Sequence, residues 1–188
     1  MNRFTVHTAG TAPAASRPLL QDLEKAFGFV PNLFAVFAES PAALQGALAM
    51  SEAFAKSSLS PLEQQLVALA VSEANDCAFC VAAHSAIAKR MLKTDAALIA
   101  AVRDRQPLAD AKLDALVAFV RRTVEQRGFV GEAALAAFLE AGYTRASVLE
   151  VLLGVGMKTF NNYVDHVAHV PLNNQFKPEA WQPKRQAA

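Results

Sequence analysis

Apolar residues recur at helical spacing along most of this 188-residue chain, and period-two alternation is nearly absent. In one such stripe the later members lie three, four, seven and eleven positions after the first, which places them on one face of a helix; it consists of Leu113, Leu116, Val117, Val120 and Val124. The 8 glycines are few for an all-β protein of this length. The pattern predicts an all-α fold of about seven or eight helices, and the length suits a single domain over residues 1–188.

Several helix boundaries carry local signals. Residues 60–63, Ser-Pro-Leu-Glu, combine a hydroxyl N-cap, a proline at the first helical position and a glutamate three residues after the cap. This is a capping box, and it predicts a helix from residue 61 to about residue 74. A long helix is expected over about 145–168. Residues 1–17 are expected to form an extended arm, and residues 171–188 a surface tail.

Charge and hydropathy exclude some classes of protein. Lys and Arg number 18 and Asp and Glu number 17, and the basic residues are mostly scattered, so a phosphate-tracking surface for nucleic acid is not predicted. No stretch approaches the ~18 uncharged apolar residues of a membrane span. The N-terminus lacks the apolar region of a signal peptide, which favours a cytoplasmic location. A hydrophobic content of 53% suggests self-association.

Both cysteines lie in one short segment, Cys77-Ala-Phe-Cys80-Val-Ala-Ala-His84. The preceding Asn75-Asp76 tolerates turn conformations and can separate two helices, so Cys77 is expected in the first turn of a helix over about 77–92. There the free N–H groups and the helix dipole favour a thiolate by ~0.3–1 kcal/mol. Because Cys80 and His84 are four residues apart, their side chains share one face of that helix.

This spacing predicts a redox-active dithiol. Cys80, beside the imidazole of His84, is the predicted nucleophile that attacks peroxide, and Cys77 is the predicted resolving thiol. A sulfenic acid on Cys80 would be captured by Cys77 within the same turn. His84 is expected to act as the base and to stabilise the thiolate. The reverse order, in which Cys77 attacks first, remains open.

Two other interpretations of the segment are kept. Both cysteines could be core residues, because free Cys is among the most buried residue types. Alternatively, Cys77, Cys80 and His84 could bind zinc, which needs a fourth ligand in a closed site. The candidates for that fourth ligand are His166, His169, His7 or a carboxylate. A thioredoxin fold fits poorly, because no strand is predicted before the first cysteine.

The chain shows a weak internal sequence similarity when it is aligned with itself at a shift of 82 positions. The Cys77, Cys80 and His84 pattern then falls on Thr159, Asn162 and His166. This predicts a degenerate second copy of the helix pair, related by pseudo-twofold symmetry that brings the two histidines near each other. The alternative is that any two amphipathic helices match this well.

Residues 59–63 and 71–85 resemble the alkyl hydroperoxidase D-like branch of the carboxymuconolactone decarboxylase superfamily. Residues 28–34 and 160–166 look like the peroxidase-related members of that branch. The resemblance implies an all-helical fold that forms trimers or hexamers, and a dithiol peroxidase activity with an external thiol or lipoyl-type reductant and no cofactor. The superfamily's lactone decarboxylases lack the cysteine pair, which argues against that activity here.

The resemblance also implies a proton relay, and two of its members are missing. The relay joins both cysteines, the histidine after them, a histidine between them and a glutamate twelve residues before the first cysteine. Phe79 stands at the position between the cysteines and Gln65 at the glutamate position. An amide can orient a neighbour by hydrogen bonding but cannot take up a proton at neutral pH.

Glu73 is the predicted substitute for the missing acid, because it lies four residues before Cys77, near the break between the helices. Glu63 is a weaker candidate, and Tyr163 and His166 are expected to approach the site from the second half of the chain. The predicted function is a cytoplasmic, homo-oligomeric dithiol peroxidase that reduces hydroperoxides. The rival prediction is a non-enzymatic redox-sensing or scaffolding oligomer whose relay has degenerated.

Overall fold

The computed structural model describes residues 4–183, in which all regular secondary structure is helical. It contains nine α-helices and two 3-10 segments, Ala14–Ser16 and Asn174–Glu179. The α-helices are α1 (Arg17–Phe27), α2 (Asn32–Phe37), α3 (Pro41–Ala55), α4 (Pro61–Ala74), α5 (Ala78–Met91), α6 (Ala96–Arg103), α7 (Ala111–Glu125), α8 (Glu132–Glu140) and α9 (Arg145–Ala168). The all-α prediction is confirmed. The count exceeds the expected seven or eight because α2 and α6 are too short to carry a long apolar stripe.

The capping box at the start of α4 is present. The Ser60 hydroxyl accepts a hydrogen bond from the Glu63 backbone N–H at 3.3 Å, and the Glu63 carboxylate accepts one from the Ser60 N–H at 2.7 Å. These two bonds satisfy N–H groups that have no partner inside the helix. The predicted bounds of α4 and of the long helix α9 therefore agree with the structure.

Both ends of the chain are folded against the helices within the described range. The expected extended arm includes a 3-10 turn, and the Ser16 hydroxyl donates to the Ala38 carbonyl at 2.8 Å. Near the other end, Glu179 pairs with Lys89 at 2.8 Å and with Arg103 at 3.2 Å. The expectations for residues 1–3 and 184–188 lie outside the described residues.

The core consists of two apolar clusters, and α3, α5 and α9 contribute residues to both. One cluster joins α4 to α6, α7, α8 and the first half of α9, and the other joins α1, α2, α3 and α5 to the end of α9. Both cysteines belong to the second cluster. From Leu66 to Glu73 every residue of α4 is buried, as expected for a helix surrounded on all sides.

Close packing of α9 on α3 and α4 depends on Gly154. A Cβ at this position would lie 2.7 Å from Phe54 Cε2 and 2.9 Å from Val67 Cγ1, inside van der Waals contact. Only glycine permits this approach. It sets the distance at which the polar residues further along α9 meet the thiols.

The predicted second copy of the helix pair is not a pair in the structure. Residues 145–168, which the shift of 82 matches to α4 and the start of α5, form the single uninterrupted helix α9. His84 lies in a part-buried setting, whereas His166 is exposed. Among residues 4–183 no helix combines the length and apolarity that crossing a membrane requires.

Candidate active site

The thiols lie where the chain turns from α4 into α5. Asn75 caps the end of α4, and Asp76 adopts a left-handed conformation with φ of 58°. Cys77 is then the N-cap of α5, one position earlier than the expected first turn, and its sulfur accepts from the Cys80 backbone N–H at 3.4 Å. The helix terminus therefore presents its N–H groups to this sulfur, as the sequence predicted.

Both cysteines are buried free thiols that approach each other to 2.8 Å, without a disulfide. The Cys77 thiol donates to the Asp165 carboxylate, with 3.3 Å between Sγ and Oδ2. Burial raises the pKa of Cys77 far above its usual value, and the charges of Cys80 and Asp165 act in the same direction. Cys77 is therefore a thiol at neutral pH, contrary to the thiolate that the sequence predicted at this helix terminus, because burial outweighs the helix N–H groups.

Cys80, in contrast, favours the deprotonated thiolate form. Burial alone would raise the pKa of Cys80, but the adjacent Cys77 thiol and the positive charge of Lys158 lower that pKa from 9.0 to about 7. A thiolate is the form of cysteine that acts as a nucleophile. The electrostatics of the pair therefore favour Cys80 as the attacking sulfur.

Lys158 on α9 is a site residue that the sequence analysis missed. Its side chain is only 3% exposed, and it lines the same cavity as Cys80. Within residues 4–183 no carboxylate forms an ion pair with it, so the Cys80 thiolate is the anion available to balance its charge. Its signal in the sequence is its helical spacing from the buried Val151 and Gly154, which places it on the inner face of α9.

His84 is held in a neutral state. Its Nδ1 lies 2.9 Å from Gln65 Oε1. Burial, and then the charge of Lys158, keep the pKa of His84 well below its usual 6.5. Because an amide oxygen only accepts, Nδ1 carries the proton and Nε2 keeps a free lone pair. Gln65 thus orients the imidazole, but His84 supplies no positive charge to a thiolate, contrary to the role expected from the sequence.

Glu73 is not brought to the thiols as expected. Its carboxylate binds Arg105 Nε at 2.6 Å and Arg121 Nε at 3.3 Å, and the side chain is 7% exposed. Two guanidinium groups therefore hold Glu73 in a buried ionic cluster. Glu63, the weaker candidate, is engaged in the capping box and accepts from the Tyr143 hydroxyl at 2.8 Å. In the structure both carboxylates are therefore engaged by groups other than the thiols.

The carboxylate that does contact a thiol belongs to Asp165, which the sequence analysis did not single out. His166 extends the contact: among the described residues, possible ligand atoms of Cys77, Asp165 and His166 all lie within 4.8 Å of one another. Tyr163 is 58% exposed, and its ring centroid lies 6.3 Å from that of His166. The zinc set considered from the sequence, Cys77 with Cys80 and His84, is not the set that the fold assembles.

A cavity of about 570 Å³ opens beside Cys80. Its reactive end is polar, with Cys80, His84, Gln65, Lys158 and Asn161. The amide oxygen of Asn161 is buried, with no hydrogen-bond partner among the described residues. Aromatic rings line much of the remaining wall, namely Phe27, Phe29, Phe34, Phe54, Phe79 and Phe176. The volume and the mixture of apolar walls with a few polar groups are typical of a small-molecule site.

Solved structures share this fold. The alkylhydroperoxidase AhpD core of a peroxidase-related protein from Ralstonia eutropha JMP134 superposes with a TM-score of 0.83 and 23% identity, covering 93% of each chain. A peroxidase-related protein from Silicibacter sp. TM1040 gives a TM-score of 0.79 and 22% identity, covering 93% of this chain and 92% of that one. At identities this low, the superpositions establish a common fold and nothing beyond it.

A third similar structure is the debrominase Bmp8 in complex with 2,3,4-tribromopyrrole, with a TM-score of 0.81, 15% identity and coverage of 95% of this chain and 96% of that one. No curated relative matches the chain in sequence. Residues 41–122, which include both thiols, match the carboxymuconolactone decarboxylase family. The part of the chain that carries both thiols thus matches this family, and the fold shared along 93% of the chain is the alkyl hydroperoxidase D-like fold.

Proposed function

We propose that the protein is a dithiol peroxidase that reduces hydroperoxides through Cys77 and Cys80. The observation that carries the proposal is a pair of buried free thiols 2.8 Å apart with opposite protonation preferences. One sulfur is ready to attack and its neighbour is ready to resolve. Cys80 also lines the cavity through which a small molecule can reach it.

The chemistry proceeds in two steps. The Cys80 thiolate attacks the terminal oxygen of the hydroperoxide, the O–O bond breaks, and the alkoxide leaves as an alcohol after taking up a proton. Cys77 then attacks the Cys80 sulfenic acid, so a disulfide forms and water leaves. An external dithiol, a small thiol or a lipoyl-type reductant, reduces the disulfide and becomes oxidised in turn.

The residues around the pair have distinct roles in this proposal. Lys158 stabilises the Cys80 thiolate and the negative charge that develops on the leaving oxygen. The lone pair of His84 Nε2, fixed by Gln65, is free to accept a hydrogen bond from a bound hydroperoxide. The aromatic walls favour an organic substituent on the peroxide.

We also propose a homo-oligomer, a trimer or hexamer, that works in the cytoplasm. Along α9, Leu149, Leu152, Tyr163 and Val167 are between 42% and 68% exposed, a large apolar surface for one helix. A second copy of the chain would cover it. A pair of free thiols suits a reducing compartment.

A second candidate activity is reductive dehalogenation of a small aromatic compound. The aromatic walls of the cavity and the thiolate at its end favour it, and the debrominase Bmp8 shares the fold. In this reaction the two thiols would supply two electrons and form the disulfide. The halide would leave, and hydrogen would take its place on the aromatic ring. A redox-sensing oligomer would form the same disulfide but would not turn over.

The test is a stoichiometric titration of reduced protein with cumene hydroperoxide, followed by thiol counting and intact mass. We expect the loss of two thiols and two hydrogens, and multiple turnovers when dithiothreitol or dihydrolipoamide is added. Cys80→Ser should abolish the reaction, whereas Cys77→Ser should stop at a sulfenic acid. A stable sulfinic acid with an unreacted partner thiol would contradict the proposal, and a single disulfide without turnover would favour the sensor.

A further inference from the structure

Disulfide formation requires Cys77 to lose a proton at a site where water cannot readily take it. The Cys77 thiol is fully buried. Burial and the nearby negative charges raise the pKa of this thiol far above its usual value. A base in contact with the sulfur is therefore needed at the moment when Cys77 attacks its partner.

The groups expected to serve as this base are committed elsewhere. Glu73 is bound by two arginines, and Gln65 is an amide that cannot take up a proton. His84 hydrogen-bonds Gln65 and belongs to the cavity, on the side of Cys80. The carboxylate of Asp165 remains, with Oδ2 3.3 Å from Cys77 Sγ and accepting its S–H.

We propose that Asp165 is a catalytic residue of the resolving step, in which it accepts the proton of Cys77, and that His166 exchanges this proton with solvent. The inference rests on the proposed dithiol cycle. The Cys77 S–H bond breaks as the bond to Cys80 forms, and the thiol proton passes to Asp165. The hydroxide that leaves the Cys80 sulfenic acid takes a proton from solvent in the cavity and becomes water, and Asp165 returns one proton to solvent through His166. No further oxidant is consumed in this step.

The surroundings of Asp165 suit a proton acceptor. Its side chain is 9% exposed, and burial raises its pKa above the usual 3.8, although the hydrogen bonds from Cys77 and Val170 and the nearby His166 and His169 oppose this. A carboxylate with a raised pKa takes up a proton more readily. The adjacent His166 is exposed, so it connects the buried carboxylate to water.

The two sulfurs are surrounded by different groups. Cys80 lines the cavity together with Lys158 and His84, where substrate would bind. Cys77 instead contacts Asp165, whose neighbour His166 is exposed. The substrate and the proton of the resolving thiol would then use different routes. Removal of the Asp165 carboxylate should slow the second step, whereas the first step should not slow, because the negative charge of Asp165 raises the pKa of Cys80.

The test follows disulfide formation without peroxide, so that it stays independent of the proposed activity. Reduced, EDTA-treated protein reacts with 4,4′-dithiodipyridine, which releases one thiopyridone when Cys80 is attached and a second when Cys77 closes the disulfide. In Asp165→Asn we expect the first release to be no slower than in wild type and the second to slow by about 100-fold. Asp165→Glu, which keeps a carboxylate, should recover much of the lost rate.

Two further variants complete the design. Asp22→Asn, at an exposed carboxylate paired with Lys25, is the matched control and should change neither release. His166→Gln should slow the second release by about tenfold, and added imidazole should restore it, because a small base can replace an exposed proton carrier. A purely structural role for His166 would not produce this rescue.

The outcomes distinguish this inference from the proposed function. A second release at the wild-type rate in Asp165→Asn overturns the role of Asp165, even if the protein reduces peroxides. Normal two-step release with no peroxide turnover in the wild type would reject the peroxidase and leave the role of Asp165 standing. If Asp165→Asn does not fold, the absence of imidazole rescue in His166→Gln overturns the inference. One zinc per chain bound before EDTA treatment, with ligation by Asp165, would also overturn it.

Discussion

The segment from α4 into α5 and the helix α9 carry similar sequence patterns, but one is broken and the other is continuous. In the first, Asp76 turns the chain with a positive φ, and Cys77 becomes the N-cap of a new helix. In the second, the matched position Thr159 lies in mid-helix. Asn75 at the break donates to Asn162 on α9 at 3.0 Å, which ties the two segments together.

This difference shows how the site divides its chemistry. The break creates a helix terminus, which gives one sulfur a backbone N–H and brings the two sulfurs together. The continuous helix cannot do this, but it repeats one face every three or four residues. That face carries Lys158, Asn162 and Asp165 to the thiols. The broken segment thus supplies the nucleophiles, and the unbroken one supplies the charges that tune them.

The largest expected effect is on stability, and it comes from substitution of Glu73 at the end of α4. The substitution tests whether this carboxylate stabilises the fold or takes part in the reaction. Glu73→Gln leaves Arg105 and Arg121 without their buried anion, and breaking a fully buried pair costs about 3–5 kcal/mol. Because Arg105 is 35% exposed, we expect about 2 kcal/mol, a fall in melting temperature of about 4–8 °C. Turnover per folded molecule should not change.

Glu125→Gln is the matched control, because its carboxylate binds Arg105 at 2.8 Å from a setting that is 35% exposed. This variant should lose less than about 1 kcal/mol. Calorimetry and peroxide turnover on both proteins check the prediction. A Glu73→Gln protein with an unchanged melting temperature and depressed turnover would return Glu73 to the relay and give the broken segment an acid of its own.

A smaller effect is expected from the charge that α9 supplies. Lys158→Met should raise the pKa of Cys80 from about 7 towards 9.0, because burial and the charge of Asp165, which raise it, would then be opposed only by hydrogen bonds. The reactive thiolate would then appear at higher pH. At pH 7 its lower population, partly offset by greater intrinsic nucleophilicity, should slow alkylation about 5- to 10-fold.

The pH dependence of iodoacetamide alkylation measures this shift in a background with Cys77→Ser and in wild type. In wild type the rate should rise with pH through a midpoint near 7, and the midpoint should move upward in Lys158→Met. His84→Gln is the comparison variant, because a neutral imidazole contributes no charge to the thiolate. If the midpoint moved in His84→Gln but stayed near 7 in Lys158→Met, then His84, and not Lys158, would be the residue that lowers the pKa of Cys80.

The sequence predicted the broken segment far better than the continuous one. Caps and turn residues act locally, so the capping box of α4 and the helix start at Cys77 could be predicted from a few neighbouring residues. The function of α9 depends on which side of the helix faces inward. Lys158 and Asp165 resemble ordinary surface charges until the packing of Gly154 on α4 fixes that side. The same limit explains Glu73, whose arginine partners lie far away in sequence.

The smallest expected effect concerns Gln65, the position at which the resemblance implies a glutamate. In Gln65→Glu the new carboxylate would lie beside His84 Nδ1 and would raise the pKa of His84, because an opposite charge favours the imidazolium. If Asp165 takes the proton of Cys77, a second acid on the cavity side adds little, and turnover should change by less than about threefold. Steady-state turnover and an NMR titration of His84 check both effects. A rise in turnover of tenfold or more would mean that a carboxylate at position 65 can act as the proton acceptor. Asp165 on α9 would then fulfil this role only in part.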